Sequence, residues 1–361
     1  MNLQNDKDRD RSGPGFEKPE NNLAKGSSET TRGVNVFNSN FENYKKAVQN
    51  YNKRTNGVKL PIADDNFLYW FIGFTEGDGS FPIKNPTKTY SKKNLVFTVS
   101  QRIQAPLNLI RENLAFGEVT NQVNVEGRTM SRYDVVRDDQ IPIILALFNG
   151  NIILKHRHEG FTRWLNQYNL QFRPPQNPVA SLKQQKFTLQ NAWFSGFLQA
   201  DGGFNISLRE NSKTTLGYYL QFRCYITQKY ERQVLQDIAD AVRLEDQAKK
   251  LKRKLLVKPR KVSKKEDTWR IELISKEDIQ TICQYLTNFP MKTEKQVVFL
   301  DWKELFVHNK KAILQVVNKD GSENSEGVAN LRAKIKAIQE YQEAIDSDFG
   351  SSFSDIDLNS E

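Results

Sequence analysis

Two aspartates stand out by where they fall. Asp78 closes the run Phe67-Leu-Tyr-Trp-Phe-Ile-Gly73-Phe-Thr-Glu76-Gly77-Asp78-Gly79, and Asp201 closes Asn191-Ala-Trp193-Phe-Ser-Gly196-Phe-Leu-Gln199-Ala200-Asp201-Gly202. Each run is densely apolar and ends where glycine allows the chain to turn, which predicts a helix; in the first copy Asp64 or Asp65 is the expected cap. The aspartate then sits at the helix C-terminus. Unpaired carbonyls and the negative end of the helix dipole already crowd that position, so a carboxylate there suits a bound cation.

The order aromatic, small, aromatic, small, Asp, Gly occurs twice at domain-sized separation, which means two copies of one unit. Gly73 and Gly77, like Gly196 and Ala200, lie four apart and leave one helix face bare. If the bare faces pack together, Asp78 and Asp201 come side by side. The other faces carry Phe67, Trp70, Phe71 and Phe74, or Trp193, Phe194, Phe197 and Leu198, as anchors in separate cores.

The segments Phe71-Ile-Gly-Phe-Thr-Glu-Gly-Asp-Gly79 and Phe194-Ser-Gly-Phe-Leu-Gln-Ala-Asp-Gly202 resemble the two signature helices of single-chain LAGLIDADG homing endonucleases, and the resemblance covers roughly residues 64 to 309. Gln199 departs from the motif, which usually has its first acid there, but the second acid, the metal ligand of the family, is present in both copies. The resemblance implies an α+β fold of two pseudosymmetric αββαββα domains, with a saddle of two antiparallel sheets around a central helix pair. It also implies metal binding by Asp78 and Asp201 with the carbonyls of Gly77 and Ala200, and a catalytic pocket containing Gln101, Gln228, Lys155 and Lys292. Two ions roughly 4 Å apart would serve hydrolysis of a phosphodiester by neutralising the leaving oxygen and lowering the pKa of an attacking water. With oxygen ligands only, Mg2+ is the expected cofactor and Mn2+ its alternative. The implied function is site-specific double-strand cleavage that promotes intron mobility; the rival within the family is a group I intron maturase that binds RNA to assist splicing.

Composition agrees with a polyanionic partner. The net charge is +10 and the isoelectric point about 9.3, while residues 346 to 361 carry five acids and no Lys or Arg, so the rest of the chain alone carries +15. Only Cys224 and Cys283 are present, which excludes a disulfide framework or a zinc finger. No apolar run approaches a membrane span, so no membrane partner is expected.

The expected organisation is a disordered N-terminal extension over 1–57 with a short helix near Phe41 to Tyr51, a first domain over 58–171, a proline-rich linker over 172–186, a second domain over 187–318, and a polar helix with an acidic tail over 319–361. The absence of a targeting segment fits synthesis inside a mitochondrion or chloroplast. Alternation is clearest where Phe204, Ile206 and Leu208, and Leu220, Phe222, Cys224 and Ile226, point to a core. A twisted antiparallel ribbon with a polar, basic outer face fits a DNA major groove. The outward set is Lys84, Asn85, Lys88, Arg102, Arg128, Arg132, Asn205, Arg209, Lys213, Gln221 and Arg223, and the run Lys249 to Lys265, including Lys252, Arg253 and Lys254, is expected to track phosphates. The partner implied is therefore double-stranded DNA with a long asymmetric site, bound by a monomer, with intron RNA as the alternative.

Overall fold

The computed structural model describes residues 41–85, 94–123, 129–173, 178, 181, 185–213, 217–243 and 258–346. The predicted contacts Lys88, Arg128, Lys252, Arg253 and Lys254 lie outside these residues.

Each signature run is a helix. The first, α2 (Asp65–Asp78), begins at Asp64, whose carboxylate accepts from the amides of Asn66 and Phe67. The second, α6 (Trp193–Asp201), has its first amides satisfied by the Asn191 side chain and by the Tyr285 hydroxyl, which accepts from Ser195. Both turn at glycine directly into a strand.

The two halves share one topology. In the first, β1 (Gly79–Ser80), β4 (Phe97–Gln101), β5 (Glu118–Val123) and β6 (Thr129–Val135) form an antiparallel sheet in the order β1-β4-β6-β5. In the second, β7 (Gly202–Glu210), β8 (Tyr218–Lys229), β9 (Arg260–Lys261) and β10 (Thr268–Leu273) repeat it as β7-β8-β10-β9. A small ribbon of β2 (Ile83–Lys84) and β3 (Asn94–Leu95) is added to the first half. The expected alternation holds at Phe204 and Ile206 on β7 and at Phe222, Cys224 and Ile226 on β8, all buried.

Helices back each sheet: α3 (Ala105–Leu114), α4 (Ile141–Phe148) and α5 (Lys155–Phe172) in the first half, α7 (Arg232–Val242), α8 (Lys276–Asn288), α9 (Thr293–Val307) and α10 (Asn309–Leu314) in the second. The cores correspond ring by ring. Phe81 packs on Phe161 and Trp164, and Phe204 packs on Phe299 and Trp302. The buried residues of both halves join in one continuous core, and the described residues between 41 and 346 belong to one compact unit.

The short helix expected near Phe41 to Tyr51 is α1 (Glu42–Arg54), which packs on α4 with Phe41, Tyr44 and Val48 buried, so the extension expected to be disordered over 1–57 is ordered from residue 41. The spacing of those three residues gives the helix one apolar stripe. The polar helix beyond residue 319 also belongs to the fold. It is α11 (Ser325–Asp346), lying against α9 and along β7 with Val328, Leu331, Ile335 and Ile338 buried at helical spacing.

Candidate active site

The helix pair α2 and α6 positions everything else. A Cβ on Gly73 would lie 2.0 Å from the carbonyl oxygen of Trp193, and one on Gly196 would lie 1.9 Å from that of Trp70. The backbones therefore touch at the glycines, and no other residue fits there without a shift. One turn later, the Cβ position of Gly77 is 2.3 Å from the Ala200 Cβ and 2.6 Å from Oδ2 of Asp201. The missing side chain at Gly77 is what allows the second carboxylate to reach the end of the first helix.

A glutamine from the end of a strand meets each aspartate. Gln101 on β4 donates its amide to Asp78, and Gln228 on β8 donates its amide to Asp201. These four predicted residues come together in two equivalent pairs.

The residues before the aspartates hold the halves in place. Glu76 is 2% exposed, and its carboxylate accepts from the amides of Ile153 and Leu154 at the start of α5 and from Trp193 Nε1 across the interface at 2.7 Å. Gln199 repeats the arrangement, accepting from the amide of Lys292 at the start of α9 at 2.7 Å and from Trp70 Nε1 at 3.0 Å. Each side chain caps a helix in its own half and takes an indole N–H from the other. Burial pushes Glu76 up from 4.5 to about 7, against its bonds from Leu154, Ile153 and Trp193 and the charge of Arg157. Gln199 fills the same role without a charge. A further link joins the halves where Glu231, before α7, accepts from the amide of His156 at 3.0 Å and contacts its Nδ1 at 2.8 Å.

Arg157 was not singled out from the sequence. Its Nε donates to the Glu76 carbonyl at 2.8 Å and its Nη2 to the Gly77 carbonyl, two of the carbonyls that the end of α2 leaves unpaired. Burial draws its pKa below the ordinary arginine value, opposed by the charges of Asp201, Asp78, Glu76 and Glu231. The offset that carries Phe161 and Trp164 onto Phe299 and Trp302 carries Arg157 onto Lys295, which is 2% exposed. Lys155 and Lys292 are not equivalent by that offset: Lys155 is the exposed first residue of α5, and Lys292 is the cap preceding α9. The repeated Phe-x-x-Trp spacing is the signal that sets this register.

Lys84 on β2 and Arg209 on β7 are exposed, as are Asn85 and Lys213 just beyond the ends of those strands. Arg132 bonds Thr98 and pairs with Asp134 at 3.2 Å, which covers Thr98 on that face. Arg223 and Arg260 share Glu272, and the Asn205 side chain accepts from Ser207. Gln221 is half-buried on β8, and Arg102 donates to the Ala344 carbonyl at 3.2 Å.

The model of the LAGLIDADG endonuclease family matches residues 71–168 and 194–306, more than half of the chain. The chain belongs to that family. It is 28% identical over 247 residues to a probable intron-encoded endonuclease 4 of Neurospora crassa, covering 68% of this chain and 41% of that protein. It is 31% identical over 189 residues to the intron-encoded RNA maturase bI4 of Saccharomyces cerevisiae, covering 51% of this chain and 26% of that one. The chain thus spans less than half the length of either relative. Among solved structures, I-SmaMI bound to an uncleaved DNA target in the presence of calcium ions aligns with a TM-score of 0.52 at 16% identity, covering 75% of this chain and 98% of that one. The fold of this LAGLIDADG chain, two pseudosymmetric halves around a paired helix core, is the fold of that meganuclease.

Proposed function

We propose that this chain is a metal-dependent, site-specific DNA endonuclease that cuts both strands of a long asymmetric duplex site. The observation that carries this reading is the contact at Gly77: the helix pair brings the carboxylate of Asp201 to the end of the helix that presents Asp78, and each aspartate is held by a glutamine from its own sheet. The donor set fits a hard divalent cation, because it consists of carboxylate and carbonyl oxygens at two helix C-termini. Asp78 and Asp201, with the Ala200 carbonyl and the second lone pair of the Gly77 carbonyl, whose first accepts from Arg157, would hold it, and Mg2+ is the natural occupant. When bound, such a cation neutralises charge on the leaving oxygen and lowers the pKa of attacking water.

The protein's own residues do the positioning. Gln101 and Gln228 fix the carboxylate rotamers, and the Arg157 guanidinium holds the last carbonyls of α2 while adding fixed positive charge beside the carboxylates. Lys295 is the buried basic residue at the equivalent place in the second half. Lys155 and Lys292 start their helices beside this pocket and are assigned supporting contacts to the substrate. Exposed Lys84, Asn85, Arg209 and Lys213 are assigned to the duplex, whose phosphates attract the basic body.

The deciding assay is cleavage of the uninterrupted host gene in Mg2+. Asp78→Asn and Asp201→Asn are each expected to abolish double-strand cutting while retaining a footprint on the site in Ca2+. Near-parental cutting by either variant would disprove the metal assignment. The likeness to an RNA maturase supports a second reading, in which the basic surface binds intron RNA. In that case the parent accelerates splicing without cutting DNA, and the doubly substituted protein accelerates it equally.

A further inference from the structure

The helix α11 does more than cover apolar surface. Its glutamines stand in for a neighbouring strand along the open edge of β7: Gln342 Oε1 accepts from the Phe204 amide at 2.7 Å, and Gln339 Nε2 donates to the Ile206 carbonyl at 2.8 Å. Gln342 is 6% exposed, and its Nε2 continues to the Tyr225 hydroxyl at 3.3 Å. The Tyr225 ring lies against Gly203, where a Cβ would meet it at 2.4 Å, and Arg270 stacks over the same ring at 4.7 Å. These contacts grip the segment that leaves Asp201, since Gly203 and Phe204 follow it within three residues. At its last turn α11 reaches the other half as well. The Ala344 carbonyl, one of those the helix end leaves unpaired, accepts from Arg102, and Arg102 directly follows Gln101, the residue that bonds Asp78.

We propose that the last two turns of α11 are a brace for the catalytic centre, with Gln342 a positioning residue that fixes the strand leaving Asp201 while Arg102 ties the same helix to the strand end beside Asp78. This rests on the endonuclease reading. Edge coverage alone would be met by Gln339 and the apolar face, but it would not require a buried amide linking Phe204 to Tyr225. Because the grip is far more extensive on the second half, loosening it affects the two catalytic aspartates unequally.

The test follows each strand of an end-labelled duplex site separately, using the full chain with Gln342→Ala, Gln342→Glu or Gln339→Ala. In Gln342→Ala, one strand's cleavage is expected to slow by on the order of tenfold or more relative to the other, so that nicked duplex accumulates, with the Ca2+ footprint unchanged. Gln342→Glu keeps an acceptor for the Phe204 amide and is expected to recover most of the lost rate, and Gln339→Ala is expected to show little strand bias. Amide exchange measured without DNA or metal is expected to quicken in Gln342→Ala at residues 202–206 and 101–103. Equal slowing of both strands, or unchanged exchange in both segments, overturns the brace. If the parent cuts neither strand, the endonuclease reading falls and the exchange experiment alone decides the brace.

Discussion

The chemistry at Glu76 and Gln199 differs by one titratable group in otherwise matched surroundings. In the unfolded chain Glu76 titrates near 4.5 and in the folded protein near 7, so the native state holds the proton more tightly. Its contribution to stability is therefore complete below pH 4.5, declines as pH rises, and is lost above about 7, a change of up to about 3 kcal/mol. Glu76→Gln, which copies the second half, is expected to remove this decline, and urea midpoints at pH 5 and pH 8 would show it. A parent equally stable at both values would contradict it. Both aspartates and both glutamines of the site were legible in the sequence, because a motif or a strand end marks each one. Arg157 and Lys295 were not. A basic residue in the first turn of a helix reads as solvated surface, and the repeated spacing of Phe161 and Trp164, and of Phe299 and Trp302, carries the register that buries it, which their ring packing then makes plain.

At the scale of elements, the crossing of α2 and α6 tolerates no atom at two points. Even Gly73→Ala or Gly196→Ala places a methyl group within 2.0 Å of a facing carbonyl. Each is expected to cost about 1–3 kcal/mol or more, read as a fall in melting temperature by calorimetry. Gly57→Ala, with nothing within 4 Å, is the control and is expected to be neutral. If Gly196→Ala melts with the parent, the helices do not pair as described. The sequence disclosed these helices because their small residues recur at a helical interval. It disclosed α11 only as polar, since a narrow stripe of Val328, Leu331, Ile335 and Ile338 among charged neighbours resembles an isolated solvated helix until its partner is known.

At the scale of the whole molecule, the described residues between 41 and 346 form one unit, with indoles of each half bonded to side chains of the other. Calorimetry is therefore expected to show a single transition, and a substitution confined to α6 should lower the melting of the entire chain. Two resolved transitions would count against this. Binding should be dominated by charge, given +10 overall. Replacing the basic residues from Lys249 to Lys265 with Gln is expected to weaken binding to all duplexes similarly and to flatten the slope of log K against log salt by about 0.9 per lost phosphate contact. A loss confined to the cognate site would assign base reading to that segment instead.

The two halves are not interchangeable, and one of the differences between them lies at a single atom of the helix contact. Where Gly77 faces Ala200 the Cβ positions are 2.3 Å apart, which is tolerable only because one of them is empty. Two second halves brought together by the same two-fold would set methyl against methyl at that spacing, whereas a first half meeting a second does not. The chain thereby discriminates which halves associate. With the halves expressed as separate polypeptides, the second half is expected to pair with the first half and not with itself, because only a pair of second halves sets two methyl groups against each other at that spacing.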